Sequence, residues 1–198
     1  MKNSILISLL IVSFLFIFTS CSQGQENEVT LDEKIGQMLK VGFRGLSVDE
    51  NSPIVEDIRK YHIGGVVLFD YDVPRDTALR NISSPGQVQN LVQDLQRFAD
   101  IPLIIAIDQE GGRVARLKTR YGFEKSVSAQ YLGSLQNADS TRKYAHQTGQ
   151  TLSELGINTN LAPVVDVNIN PENPVIGGIE RSFSDDPSVV TRHARLYI

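Results

Sequence analysis

From residue 30 onward, short apolar runs alternate with stretches in which apolar residues recur three and four positions apart. Thr30-Leu-Asp-Glu33 has the layout of a capping box and predicts a short helix, with a first strand over Met38–Phe43. Pro53–Tyr61 reads as a helix stopped by His62 and the Gly64-Gly65 pair; Gly65–Phe69 then reads as a buried strand with Asp70 at its carboxyl end. Ser84 is a good N-cap with Pro85 in the first helical position, and Val88, Leu91, Val92, Leu95 and Phe98 share one face until Pro102 ends the pattern. Pro102–Ile107 is a third strand and runs into Asp108-Gln-Glu-Gly-Gly-Arg113. A long loop is expected from there to Asp139. The helix beginning at Asp139 carries a stripe of Tyr144, Thr148, Leu152 and Leu155, and Gly156 supplies its left-handed cap. Thr159–Val165 is a fourth strand ending in Asp166, followed by a loop rich in Asn and Pro from Asn168 to Pro187. Asp186 and Pro187 open a last helix in which Val190, Ala194, Tyr197 and Ile198 share a face, and no Gly, Asn or Pro closes it.

Strands alternating with helices at intervals of roughly 30 to 55 residues argue for an α/β fold with a parallel sheet, either a barrel or a doubly wound sheet. Residues 30–198 are expected to form one domain. Four strands are about half of a (β/α)8 TIM-type barrel, and the part after residue 20 is shorter than the roughly 200 residues at the lower bound for a complete one. The expectation is therefore a barrel that is incomplete at its C-terminal side. An open half of this kind exposes edge strands and apolar faces.

The N-terminal stretch follows neither period. Lys2 precedes an uncharged run from Ser4 to Phe18, and the small residues Thr19 and Ser20 stand before Cys21. That is the layout of a secretory signal, too short for the roughly 20 apolar residues of a spanning helix. The arrangement resembles a bacterial lipoprotein signal over residues 1–20, with Cys21 as the lipidated N-terminus of an exported, membrane-anchored protein. Residues 21–29 are polar apart from Cys21 and Val29 and read as a flexible tether. Composition changes the picture little. The 198 residues are 41% hydrophobic and 21% charged, with 19 Lys and Arg against 23 Asp and Glu, so no nucleic-acid partner is indicated. A lone cysteine excludes an internal disulfide framework.

In parallel βα folds the chemistry collects at the carboxyl ends of the strands, which singles out Asp70, Asp108, Glu110 and Asp166. Asp108 and Glu110 are two apart, so an extended segment puts both carboxylates on one face, with roughly 6 to 7 Å between alpha carbons. Such a pair serves glycoside hydrolysis, holds a cation, or has one member that binds hydroxyls and one that is structural. Arg113, Arg116, Lys118 and Arg120 form the one dense basic cluster, placed so that a guanidinium can reach the strand end. His62, His146 and His193 lack metal-ligand spacing and read as ordinary. Neither a phosphate loop nor Gly-x-Ser-x-Gly occurs.

Asp108-Gln-Glu-Gly-Gly-Arg-Val-Ala-Arg-Leu117 resembles the signature at the end of the third strand in glycoside hydrolase family 3, in its β-N-acetylglucosaminidase branch. Leu31–Leu39 with Val41-Gly-Phe43, Gly64–Phe69, and Asn160–Val167 continuing to Arg181-Ser-Phe183 agree with it in order and spacing. The resemblance covers Leu31 to the end and implies a barrel of the (β/α)8 type. It also implies a retaining hydrolase that removes terminal β-linked N-acetylhexosamine from peptidoglycan fragments or other amino-sugar oligosaccharides. Carried over residue by residue, it makes Asp108, Arg116 and Arg181 substrate-binding and Glu110, Arg113 and Asp166 supporting. No metal or organic cofactor is implied, since a carboxylate nucleophile and a proton donor suffice.

The family's Lys-His-Phe-Pro-Gly-His-Gly segment, its acid–base pair and its nucleophilic Asp follow the fourth βα unit, so they are expected beyond Ile198. These residues alone are then expected to hydrolyse nothing measurable. The alternative is a non-catalytic amino-sugar-binding lipoprotein. A third reading, an unrelated βα enzyme using Asp108 and Glu110 directly, must treat the long signature as coincidence.

Overall fold

The structure, a computed structural model, describes residues 29–198. The leader expected over 1–20, the expected lipidation site Cys21 and the expected tether up to residue 28 lie outside the described residues. Leu31–Ile198 forms one compact unit.

In chain order the elements are α1 (Leu31–Gln37), β1 (Lys40–Gly42), α2 (Pro53–Tyr61), β2 (Gly65–Leu68), β3 (Tyr71–Asp72), β4 (Thr77–Ala78), α3 (Pro85–Arg97) and β5 (Ile104–Ile107). They continue with α4 (Ala129–Ser134), α5 (Ala138–Glu154), β6 (Thr159–Asn160) and α6 (Pro187–Tyr197). Strands β1, β2, β5 and β6 form one parallel sheet in that order. The order follows the chain with no reversal, which is the order of a barrel and not of a doubly wound sheet.

Register explains the core. Val41, Val66 and Ile105 stand in one row and Leu68 pairs with Ile107, so their side chains share a face. Val66, Leu68, Ile105 and Ile107 are all fully buried. They join Ile54, Val55 and Ile58 of α2, Val88, Leu91, Val92 and Leu95 of α3, and Leu152 and Leu155 near the end of α5 in one cluster. Alternate residues, in the row Gly42, Val67, Ala106 and Thr159, point to the other face.

Helix α3 begins where the sequence says, because the Ser84 hydroxyl accepts from the Gln87 N–H and Pro85 follows. Helix α5 starts slightly ahead of Asp139, since Asn137 caps it by accepting from the N–H groups of Asp139 and Ser140. The expected loop from Asp108 to Asp139 holds the short α4, capped by Ser128. The β3–β4 hairpin after Asp70 is also additional to the sequence reading. It is antiparallel and is tied down by the Asp72 carboxylate, which pairs with Arg44 and lies 3.8 Å from Arg75.

The largest difference is at the fourth strand, expected over Thr159–Val165 and present only as Thr159–Asn160. Asparagine side chains do part of the ladder's work on either side. Asn158 Oδ1 accepts from the Ile105 N–H and its Nδ2 donates to the Leu103 carbonyl. Asn160 does the same for the backbone of Gln109. Pro163 has no N–H to offer further on.

Candidate functional site

The site is assembled where β5 runs out. Gln109 is 5% exposed while Asp108 and Glu110 on either side are half-buried, so the alternation of β5 continues past Ile107. Its backbone is clasped by Asn160, which accepts from the N–H at 3.1 Å and donates to the carbonyl at 3.2 Å. Its side-chain carbonyl accepts from the N–H groups of Arg116 at 2.9 Å and Leu117 at 3.0 Å. One amide thus fixes the returning loop to the strand end. Sequence reasoning overlooked Gln109; the available signal was a polar residue at the buried parity of a strand.

Between these anchors the chain turns sharply, with Gly111 and Val114 exchanging backbone hydrogen bonds. Gly111 has φ +101° and Gly112 φ +57°. A Cβ on Gly111 would stand 2.1 Å from the Val127 carbonyl oxygen, and one on Gly112 would stand 2.7 Å from Ser128 Cβ. Only glycine allows the turn to lie against residues 127–128.

This geometry carries two arginine–carboxylate pairs. Arg116 Nη2 donates to Asp108 Oδ2 at 3.1 Å. The Arg116 guanidinium also lies 5.7 Å from the Phe69 ring centre, on a ring that Arg80 approaches to 4.8 Å. Arg181, from the loop before α6, grips Glu110 in bidentate fashion, Nε to Oε2 and Nη2 to Oε1, each at 2.8 Å. Its Nη1 donates to the Val175 carbonyl at 3.2 Å. Those three bonds leave one N–H on each terminal nitrogen of Arg181 for a ligand. Glu110 raises the Arg181 pKa, with burial opposing it and Asp166 and Asp108 adding to the rise. Asp108, Glu110, Asp166 and Arg181 therefore share one electrostatic environment.

Placement of the remaining candidates is less uniform. Asp166 is exposed, and its backbone carbonyl accepts from the Ser182 hydroxyl at 2.6 Å. Arg113 is exposed and donates to the Gly178 carbonyl at 3.2 Å, bracing the loop that delivers Arg181. Asp70 is buried among Arg116, Lys118 and Arg120. His193 is buried on α6, with Nδ1 2.8 Å from the Thr141 hydroxyl and its ring stacked on Phe183 at 5.2 Å, a packing role. Tyr197 reaches back to the Gln109 carbonyl at 3.4 Å, and burial pushes its phenol pKa up. Among the described residues no group of three His, Cys, Asp or Glu side chains is arranged to hold a metal ion. No helix there is long and apolar enough to cross a membrane.

Chemically, the strand end presents half-buried carboxylates and guanidiniums fixed by one another. Asp108 Oδ1 accepts no hydrogen bond among the described residues, and both arginines retain donors. This array suits a neutral ligand rich in hydroxyl and amide groups, which needs paired charged hydrogen bonds more than net charge.

Residues 30–198 match the model of the glycosyl hydrolase family 3 N-terminal domain. Beta-hexosaminidase A of Pseudoalteromonas piscicida is 36% identical over 195 residues, covering 89% of this chain and 31% of that protein. A family 3 beta-N-acetylglucosaminidase structure from Paenibacillus sp. strain FPU-7 superimposes with a TM-score of 0.75 at 36% identity, over 85% of this chain and 30% of that one. NagZ from Neisseria gonorrhoeae, in complex with N-trifluoroacetyl-D-glucosamine, gives a TM-score of 0.68 at 26% identity, over 80% of this chain and 45% of that one. The chain spans less than half the length of each of these relatives.

Proposed function

The chain belongs to glycosyl hydrolase family 3 through its N-terminal domain, and from that premise we propose that it supplies the sugar-holding part of a retaining β-N-acetylhexosaminidase. The substrate is a terminal β-linked N-acetylhexosamine on an oligosaccharide or peptidoglycan fragment. Asp108 accepts from two ring hydroxyls, and Arg116 and Arg181 orient the ring. Glu110 holds Arg181, Arg113 braces the loop behind it, and Asp166 adds negative potential beside it. The observation that carries this reading is the pair of arginine–carboxylate contacts built from residues two apart at one strand end.

The same contacts argue against hydrolysis by Asp108 and Glu110 themselves. Hydrolysis needs a free nucleophile or base and a proton donor on either side of the bond. Both oxygens of Glu110 are engaged by Arg181 and one oxygen of Asp108 by Arg116. The 198-residue chain is therefore expected to bind the sugar and to turn over nothing. That engagement also supports a second reading, a non-catalytic amino-sugar-binding lipoprotein.

Titration calorimetry with N-acetylglucosamine tests the sugar-holding role, with Arg116→Ala as the control. Wild-type binding that Arg116→Ala weakens by at least about tenfold, the equivalent of about 1.4 kcal/mol, is expected. No binding by the folded wild type sinks it. Release of p-nitrophenol from p-nitrophenyl N-acetyl-β-glucosaminide by the same chain would overturn the division of labour. Export as a lipoprotein anchored at Cys21 is part of the proposal; metabolic labelling with palmitate, lost in Cys21→Ser, tests it.

A further inference from the structure

Two acidic residues are buried in the described part of the chain, Asp70 and Asp72. Asp72 is accounted for, because with Arg44 and Arg75 it fastens the β3–β4 hairpin. Asp70 makes no hydrogen bond to Asp108, Arg116 or Arg181, yet it is 1% exposed and stands two residues beyond the end of β2, beside the site. Burying a carboxylate is costly unless cations answer it. Here they come from one short segment. Lys118 Nζ donates to Asp70 Oδ2 at 2.6 Å and Arg120 Nη2 donates to the same oxygen at 3.3 Å. Residues 116, 118 and 120 alternate with buried Leu117, so one side of the segment is cationic and faces Asp70.

The other oxygen is the informative one. Asp70 Oδ1 is buried and accepts no hydrogen bond among the described residues, and Arg116 Nη1 lies 4.0 Å from it. Arg116 Nε is likewise buried and without a partner among the described residues. The two terminal nitrogens of one guanidinium thus face two carboxylates, Nη2 against Asp108 and Nη1 toward Asp70, with Phe69 beneath the plane. Lys118 and Arg120 occupy Oδ2 and leave Oδ1 to Arg116.

We propose that Asp70 is a positioning residue that sets the orientation of the Arg116 guanidinium, so that this arginine meets a sugar ring already aligned. Asp70 itself touches no substrate. Its effect on affinity rests on the sugar-holding role proposed for Arg116; its effect on the guanidinium does not.

The test uses the isotopically labelled 198-residue chain and follows the Arg116 Nε–H resonance, assigned by its loss in Arg116→Lys. In the wild type the signal is sharp, because the Nε–H is buried and the half-buried guanidinium is held between two carboxylates. In Asp70→Asn it broadens or disappears, and N-acetylglucosamine binds about tenfold more weakly. The double variant Asp70→Asn/Lys118→Met removes one charge of each sign, so a role limited to charge balance would be restored by it. Thermal stability is expected to recover in the double variant while the resonance and the affinity stay lost. An unchanged resonance in Asp70→Asn overturns the proposal, as does recovery of both resonance and affinity in the double variant. If Asp70→Asn does not fold, the double variant alone decides by the same two readouts. If the wild type binds no sugar, the sugar-holding role fails, and the resonance still decides the role of Asp70.

Discussion

Replacing Glu110 by Gln keeps the side chain's shape and removes the charge that Arg181 grips. The pair is enclosed, with side-chain exposures of 8% for Glu110 and 23% for Arg181, and both of its hydrogen bonds are 2.8 Å long. Two unit charges about 4 Å apart at an effective dielectric near 20 attract by about 4 kcal/mol. Gln retains one acceptor, and Arg181 keeps the Val175 carbonyl and some access to water, which together return part of that. A net loss of about 2–3 kcal/mol is expected, within the range for breaking a partly enclosed pair. For a domain of this size each kcal/mol lowers Tm by about 2–4 °C, so Glu110→Gln should melt about 4–12 °C below the wild type. Circular dichroism at 222 nm, run at low and at 0.5 M salt, measures it. The control is Asp94→Asn, which breaks the exposed Arg97 pair on α3 and should change stability by no more than about 0.5 kcal/mol. The reasoning is refuted if the two variants melt alike, or if salt erases the difference, because an enclosed pair is poorly screened.

Two other predictions follow from geometry already described. Gly111→Ala adds a Cβ 2.1 Å from the Val127 carbonyl at a φ of +101°, so denaturant unfolding should show a loss of at least about 2 kcal/mol, whereas Gly86→Ala, with open space around it, should cost nothing. Burial holds the His193 pKa below the ordinary imidazole value, with Arg192 adding to the effect. The unfolded chain therefore takes up a proton below about pH 6.5 that the folded chain refuses, so stability is complete above that pH and declines as the pH falls toward 5. His193→Asn should flatten this part of a stability–pH curve measured by urea unfolding.

Elements with their own punctuation were the ones legible in the sequence. Ser84-Pro85 and Asp186-Pro187 mark helix starts, and in each case the capping side chain accepts from the first turn. The β3–β4 hairpin and α4 were not legible, because each is too short for a period to register. They owe their form to distant partners, the hairpin to Arg44 and α4 to a buried glycine, Gly133, that lets it lie against the backbone at Phe183. The fourth strand reads too long, over Thr159–Val165, because its apolar run has strand composition as far as Val165; the ladder ends at Asn160, whose side-chain amide bonds the Gln109 backbone, and Pro163 offers no N–H beyond it. At the site, the strand-end motif pointed to Asp108, Glu110 and Arg116, and the pairing of Glu110 with Arg181 spans 71 positions that no local spacing encodes. Asp70 was legible by position alone; its three cations were legible as a basic cluster, but their pairing with a carboxylate some 46 to 50 positions away was not.

Gln109 has a further consequence, for motion. Its backbone is clasped by β6 through Asn160, and its side chain holds the amides of Arg116 and Leu117. The segment bearing Arg116 cannot peel away as a loop tip does, because its amides are tied to the end of a central strand. Local opening there requires the β5–β6 junction to part as well, which makes the loop thermodynamically a member of the sheet's cooperative unit. Amide protons of Arg116 and Leu117 then exchange with solvent at the pace of the sheet, and the site is rigid before any ligand arrives.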